Sequence, residues 1–204
     1  MTIYLVRHGE TADNASRTLQ FPHTPLSERG HKQAARVAAR LATVGAGAIL
    51  ASDFVRAAQT AEAIAAATGL AITWEPLLQE RHFGELRGRR YSELDFDPMA
   101  DDYAPPGGED WPAFDARVAR AFDAVIATRE AIDRPLIVVS HGLALRRMLR
   151  NHLLRPDGVA VPDDLLNTAV TICEADRPWR TRLIGCVRHL DGDSIDDGRG
   201  LSGF

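Results

Sequence analysis

Short apolar runs of strand length alternate along this chain with longer stretches whose apolar residues recur every three or four positions. Residues 3–6, 48–51, 72–74 and 136–139 are the runs. Between them lie residues 27–42, 53–68 and 110–131, each with helical periodicity; in the first of these Ala34, Val37, Ala38 and Leu41 form the apolar stripe. Ser27 reads as an N-cap, with Gly45 and Gly47 ending that helix, Asp53 reads as the cap of the next, and Asp110 with Pro112 opens the third. A further helix follows residue 139 and runs through Leu154, and residues 169–174 and 182–187 read as two closing strands. Such alternation predicts an α/β three-layer sandwich, a mainly parallel central sheet with helices on both faces.

A chain of 204 residues, 45% hydrophobic, can bury one substantial core, and no internal repeat divides it. We therefore expect a single domain over residues 1–190, followed by a tail, 191–204, whose Gly, Asp and Ser content predicts poor order. Residues 87–108, rich in Pro, Gly and Asp, are expected to form a long surface loop. The net charge of −4 argues against general attraction to nucleic acid or an anionic membrane. Lys32 is the only lysine, so arginine is simply the cation this chain uses, and only its position makes one informative. No apolar run approaches the roughly 20 residues needed to cross a bilayer. The chain begins in a strand with no basic, apolar leader, and its two cysteines, Cys173 and Cys186, read as small core residues in a reducing compartment. The cytoplasm is the expected location.

In open parallel sheets, binding sites form beyond the carboxyl ends of the strands. "YLVRHG" puts Arg7 and His8 at one such end, and "VVSHG" puts His141 at another. "ILASDFVR" ends a third run and brings Arg56 into the first turn of a helix, while "ITWEPLLQE" leaves Glu80 just beyond a fourth. The repeated pattern of apolar run, polar residue and His-Gly is the strongest internal signal, each glycine permitting a close backbone approach or a turn with φ > 0. Two histidines, two arginines and a glutamate on one sheet edge suit phosphoryl recognition and transfer. A phosphoryl group carries about −1.5 to −2 charge near neutral pH. Arg7 and Arg56 would grip it, and the helix amino termini after His141 and Asp53 would add N–H donors. A neutral imidazole is a competent nucleophile. Glu80 would give the leaving group its proton, an effect typically worth about 10²–10⁴-fold.

"LVRHGET" with Asn14, "PLSERG", "SDFVRAAQTA", "LQERHFGELRG", "PPGGED", "VVSHG" and the closing "NTAVT…VRHL" stand in the order found in the histidine phosphatase superfamily, the phosphoglycerate-mutase-like group. Over about residues 1–190 the chain resembles that family. The resemblance implies a phosphoglycerate-mutase-like fold and phosphorylation of His8 on nitrogen. It also implies that Arg7, Arg56 and His141 hold the phosphoryl group, and that Glu80 acts as proton donor and then as base for water. Asn14 matches a phosphate-contacting position, and Gly142 would offer its backbone N–H. Neither a metal nor an organic cofactor is implied. The expected partner is a small phosphorylated metabolite; a homodimer is compatible with the sequence but nothing in it requires one.

Simpler readings compete at several positions. Asn14 also suits a cap or a turn, Gln20 and Arg81 suit a solvated loop as well as a substrate wall, and Glu109 suits helix-start electrostatics. Glu85 is a carboxylate close enough to Glu80 in sequence to compete with it. His23, His31, His82, His152 and His189 take structural roles by default. Arg146, Arg147 and Arg150 read as a solvated helix face. Within the family, "ERHFG" leans toward the mutases, but the segment from Glu80 to Asp110 is short for one. Arg89-Arg90 also follows Glu80 too soon to match the mutases' arginine pair. "PPGGED" is closer to the phosphatases, and a phosphatase is the favoured reading, with a mutase or a non-catalytic phospho-ligand module as alternatives. Asp13 and the loop 19–23 depart from the common family pattern, which leaves sugar phosphates, phosphoglycerate, α-ribazole phosphate and phosphoamino acids open as substrates.

Overall fold

Strand β1 (Thr2–Arg7) buries side chains on both of its faces, as a central strand of a parallel sheet must. Ile3 and Leu5 enter one apolar cluster and Val6 the other. In the computed structural model, which describes residues 2–190, the same alternation recurs in its neighbours. After a short helix α1 (Ala12–Ala15) and a long helix α2 (Glu28–Leu41) come β2 (Ala48–Ala51), α3 (Val55–Thr68) and β3 (Ile72–Trp74). The chain continues through α4 (Trp111–Glu130), β4 (Leu136–Ser140), α5 (Gly142–Asn151), β5 (Val170–Glu174) and β6 (Thr181–Cys186). The six strands lie in the order β3-β2-β4-β1-β5-β6. The first four are parallel, and β5 and β6 are added antiparallel at the β1 side.

One face is covered by α2 and α3 through Val37, Leu41, Ala57, Ala61 and Ile64, packed on Ile49, Ile137 and Val139. The other is covered by α4 and α5 through Phe114, Val118, Phe122, Met148 and Leu149, packed on Leu50, Leu136 and Val138. This is the expected three-layer α/β architecture. Ser27 and Asp110 cap α2 and α4, each accepting from a backbone N–H three residues on. Asp53 does not cap α3. The N-cap is Phe54, which makes no side-chain cap bond, and Asp53 instead accepts from Gln79 Nε2 at 2.6 Å. Helix α5 stops at Asn151, short of the expected Leu154.

The segment 87–108 has little regular structure but is tied down from within. Arg81 donates to the carbonyls of Tyr103, Pro98 and Glu109, and Trp111 Nε1 donates to the Ala100 carbonyl. Its guanidinium also lies over the Trp111 ring, 3.9 Å from the centroid. Cys173 is buried beside β1, Cys186 is half-buried, and both are free thiols. No helix among the described residues is long and apolar enough to cross a membrane. The expectation of a poorly ordered tail falls on residues outside those described.

Candidate active site

Strand register places the two histidines side by side. Arg7 pairs with Ser140 at the ends of β1 and β4, so His8 and His141 are the residues that immediately follow the two strands. The His8 N–H donates to the Ser140 carbonyl at 3.0 Å, and the two imidazole centroids are 5.2 Å apart. Gly9 then lets α2 approach: a Cβ there would sit 2.7 Å from the Gly30 carbonyl oxygen. Neither glycine of the repeated His-Gly pattern has a left-handed backbone. Gly9 is required by close approach, whereas a Cβ on Gly142 would make only ordinary contact with the Arg7 guanidinium, 3.5 Å from Nε.

The hydrogen bonds of His8 fix its protonation. Its Nδ1 is 2.7 Å from the Gly9 carbonyl, and its Nε2 faces Arg56 Nε at 3.2 Å. A guanidinium N–H can only donate, so Nε2 is the acceptor and the proton resides on Nδ1. Burial pushes the His8 pKa well below 6.5, and Arg56 and Arg7 push it further, so the ring is a neutral base with its Nε2 lone pair toward the pocket. His141 is held neutral by the same causes, burial first and then Arg56, His8 and Arg7. Its Nε2 meets the Ser52 hydroxyl at 2.8 Å, and its buried Nδ1 has no partner among the described residues.

Two buried guanidinia border this pair. Arg7 donates to the Leu165 carbonyl and to Asp164 Oδ1, the latter at 3.2 Å, while its Nε is buried without a partner. Arg56 donates through Nη1 to the Phe21 carbonyl. Burial brings its pKa down to about 10, aided by Arg7 and Arg87 and opposed by Glu80 and Asp13. Cations buried this way, beside two imidazoles that do not share the charge, make the pocket a receptor for an anion.

Glu80 reaches the site across the first turn of α5. Its carboxylate oxygens accept from the backbone N–H groups of Leu143 and Ala144, at 3.0 and 3.2 Å, and from that of Arg81. The amino terminus of α5 therefore orients Glu80, rather than being left wholly open for a ligand. Behind it, Arg117 gathers the carbonyls of Leu77, Gln79 and Glu80 and makes two 2.7 Å bonds to Glu109. Burial opposes the Glu109 charge, but Arg117 and the His82 N–H outweigh it and hold its carboxyl below the usual range. Glu109 is thus a clamp on the Glu80 segment, a stronger role than helix-start electrostatics.

The structure brings Arg7, His8, Asn14, Gln20, Arg56, Glu80 and Gly142 to the walls of one pocket, with His141 buried against His8. Glu85 is not among that pocket's residues. Asn14 does cap: its Oδ1 accepts from the Thr11 N–H and from Asn167 Nδ2, which leaves its own Nδ2 as the group able to donate inward. Gln20 Oε1 lies 3.0 Å from the Thr11 hydroxyl. Arg81 also borders the pocket, but its guanidinium is spent on three carbonyls of the 98–109 region, which makes it a strut rather than a free substrate contact.

Sequence reasoning missed Ser52, Asp164 and Asn167, and also Tyr91, which lines the pocket. Asn167 Nδ2 donates to the His8 carbonyl, as does the Thr168 N–H. Only the quoted "NTAVT" hinted at that segment. Ser52 stood in plain view between the β2 run and Arg56, and its carboxyl-end position was the available signal.

The family model of the histidine phosphatase superfamily (branch 1) matches residues 3–183. The chain belongs to that superfamily. A probable phosphoglycerate mutase GpmB of Enterobacter sp. (strain 638) is 33% identical, the match covering 97% of this chain and 98% of that one. Among solved structures, Bacillus stearothermophilus YhfR is 29% identical with a TM-score of 0.80, covering 92% of this chain and 98% of its own. A mycobacterial glucosyl-3-phosphoglycerate phosphatase is 25% identical with a TM-score of 0.76, covering 89% and 97%. Superfamily membership supports an enzyme of the phosphatase and mutase kind.

Proposed function

We propose that this chain is a phosphomonoester phosphatase that acts on small phosphorylated metabolites through a phosphohistidine. The observation that supports it most is the tautomer of His8: Nδ1–H is anchored on the Gly9 carbonyl and Nε2 is left as the pocket-side lone pair. As a phosphate oxygen enters, the hydrogen bond donated by Arg56 Nε–H shifts from His8 Nε2 to that oxygen and frees the lone pair. Nε2 then attacks phosphorus, the bond to the ester oxygen breaks, and Glu80, which enters the cycle as the carboxylic acid, gives that oxygen its proton. Arg7, Arg56 and the Nδ1–H of His141 hold the three phosphoryl oxygens, with Asn14 and the Gly142 N–H adding donors. Water next attacks phosphorus, Glu80 takes its proton, the P–N bond breaks, and His8 returns to its neutral form. The reading needs no metal or organic cofactor.

Phosphoglycerate mutase is the second reading, favoured by the curated relatives that bear that name. Against it, the Arg89 guanidinium is exposed and donates to the Glu93 carbonyl, so the Arg89-Arg90 pair does not supply a carboxylate site in the pocket. The test is phosphate release from p-nitrophenyl phosphate and a panel of natural monoesters across pH 5–8. Steady release is expected. No release, together with transfer between the two monophosphoglycerates stimulated by 2,3-bisphosphoglycerate, would replace the phosphatase with the mutase.

A further inference from the structure

We propose that Arg146 anchors a second anion subsite, so that the preferred substrates carry a further anionic group, a carboxylate or a second phosphate, on the alcohol half. This rests on the phosphatase reading and narrows its substrate class. Leu143 and Arg146 line the nucleophile pocket and also the groove beside it, and are the residues through which the two join. The groove is otherwise walled by Met99, Trp111, Arg147 and Arg150, with Asp101 and Asp163 exposed at its rim.

The cations around the pocket differ in how fully they are used. Arg7 is taken by Asp164 and the Leu165 carbonyl, Arg81 by three carbonyls, and Arg147 by both oxygens of Asp115 while it packs on the Trp111 ring. Arg146 is half-buried, and its Nε is sealed from solvent with no partner among the described residues. Burial lowers its hold on its proton and Arg150 lowers it further, while Asp164 and Asp163 oppose this from a distance. A buried donor left unmade is costly, and a planar anion would satisfy it in a paired geometry.

Helix spacing sets the reach. Gly142, Arg146 and Arg150 follow one another at four-residue intervals and share one face of α5. One turn of helix is about 5.4 Å. A group bound at Arg146 would therefore sit about a two- to three-carbon spacer from a phosphoryl group held at Gly142.

Two substrate pairs test this. 3-Phosphoglycerate against glycerol 3-phosphate isolates a carboxylate, and glycerol 1,3-bisphosphate against glycerol 3-phosphate isolates a second phosphate at a three-carbon spacing. Wild type should prefer the first member of at least one pair by about tenfold in kcat/KM, the size expected of a charge-assisted contact. In Arg146→Gln that ratio should fall toward one, and Arg146→Lys should restore part of it. Each ratio is taken within one preparation, so a loss of folded enzyme cancels. No preference in either pair, or a preference that survives Arg146→Gln, would overturn the subsite. If nothing, p-nitrophenyl phosphate included, is hydrolysed, the phosphatase reading fails instead. The subsite is then decided by calorimetric Kd ratios for the same pairs: about tenfold and lost in Arg146→Gln supports it, and equal ratios in the two proteins overturn it.

Discussion

The floor of the pocket and its roof are built in different ways. On the floor, Arg7, His8 and His141 are fixed by strand register, and Arg56 by the first turn of α3, so backbone pairing alone brings them together. The roof, from Gln79 to Glu109, has almost no regular structure. It is held by two arginines, Arg81 and Arg117, that collect backbone carbonyls a long way apart in sequence. A floor set by a sheet is rigid and tolerates little change of shape. A roof set by side-chain ties can differ while the phosphate chemistry beneath it is kept, because each tie is separable from the sheet.

The largest effect short of removing the nucleophile should come from the roof's one proposed reacting group. Glu80→Gln keeps the size of the side chain but loses the transferable proton, and turnover of alkyl phosphates should fall about 10²–10⁴-fold while phosphate binding persists. Steady-state rates with an alkyl and a p-nitrophenyl ester check this; an alkyl ester turned over at the wild-type rate would remove Glu80 from the acid role.

The floor should respond to pH. His8 and His141 have native pKa values well below 6.5, while in the unfolded chain they take protons near about 6.5. Below that pH the unfolded state binds more protons, so stability is complete above it and is lost as pH falls. The slope should approach about 1.4 kcal/mol per pH unit for each ring. His189, pushed down to about 4 by burial and then by Arg40, adds in the same direction. Urea unfolding at a series of pH values measures the slope, and a flat profile between pH 5 and 6.5 would mean that the rings are not held neutral.

The smallest effect should come from the floor's hidden support. Ser52→Ala removes the partner of His141 Nε2, and kcat should drop about fivefold, the equivalent of one ordinary hydrogen bond, with Tm lowered by roughly 2–4 °C for each kcal/mol lost at the buried ring. An unchanged kcat would show that the pocket's shape alone orients His141.

The same division explains what could be read from the sequence. The strands and major helices follow from apolar periodicity, and Arg7, His8, Arg56 and His141 were visible because they end those elements. Glu80 was visible only as a carboxylate beyond a strand, with Glu85 as a rival, because its orientation depends on N–H groups of α5 more than sixty residues away. Asp164 and Asn167 reach Arg7 and His8 from a segment without helix or strand, where no period marks which side chain faces inward. Arg81 suits a substrate wall or a solvated loop in the sequence; that it borders the pocket with its guanidinium turned to three carbonyls was not legible, since such acceptors are supplied by every sequence.

The central claim is that His8 Nε2 receives the phosphoryl group. Wild type mixed with substrate and quenched in alkali should carry one phosphate on the peptide containing His8, stable in base and lost in acid, and His8→Ala should carry none. Phosphate on another residue, or labelling that persists in His8→Ala, would contradict the account.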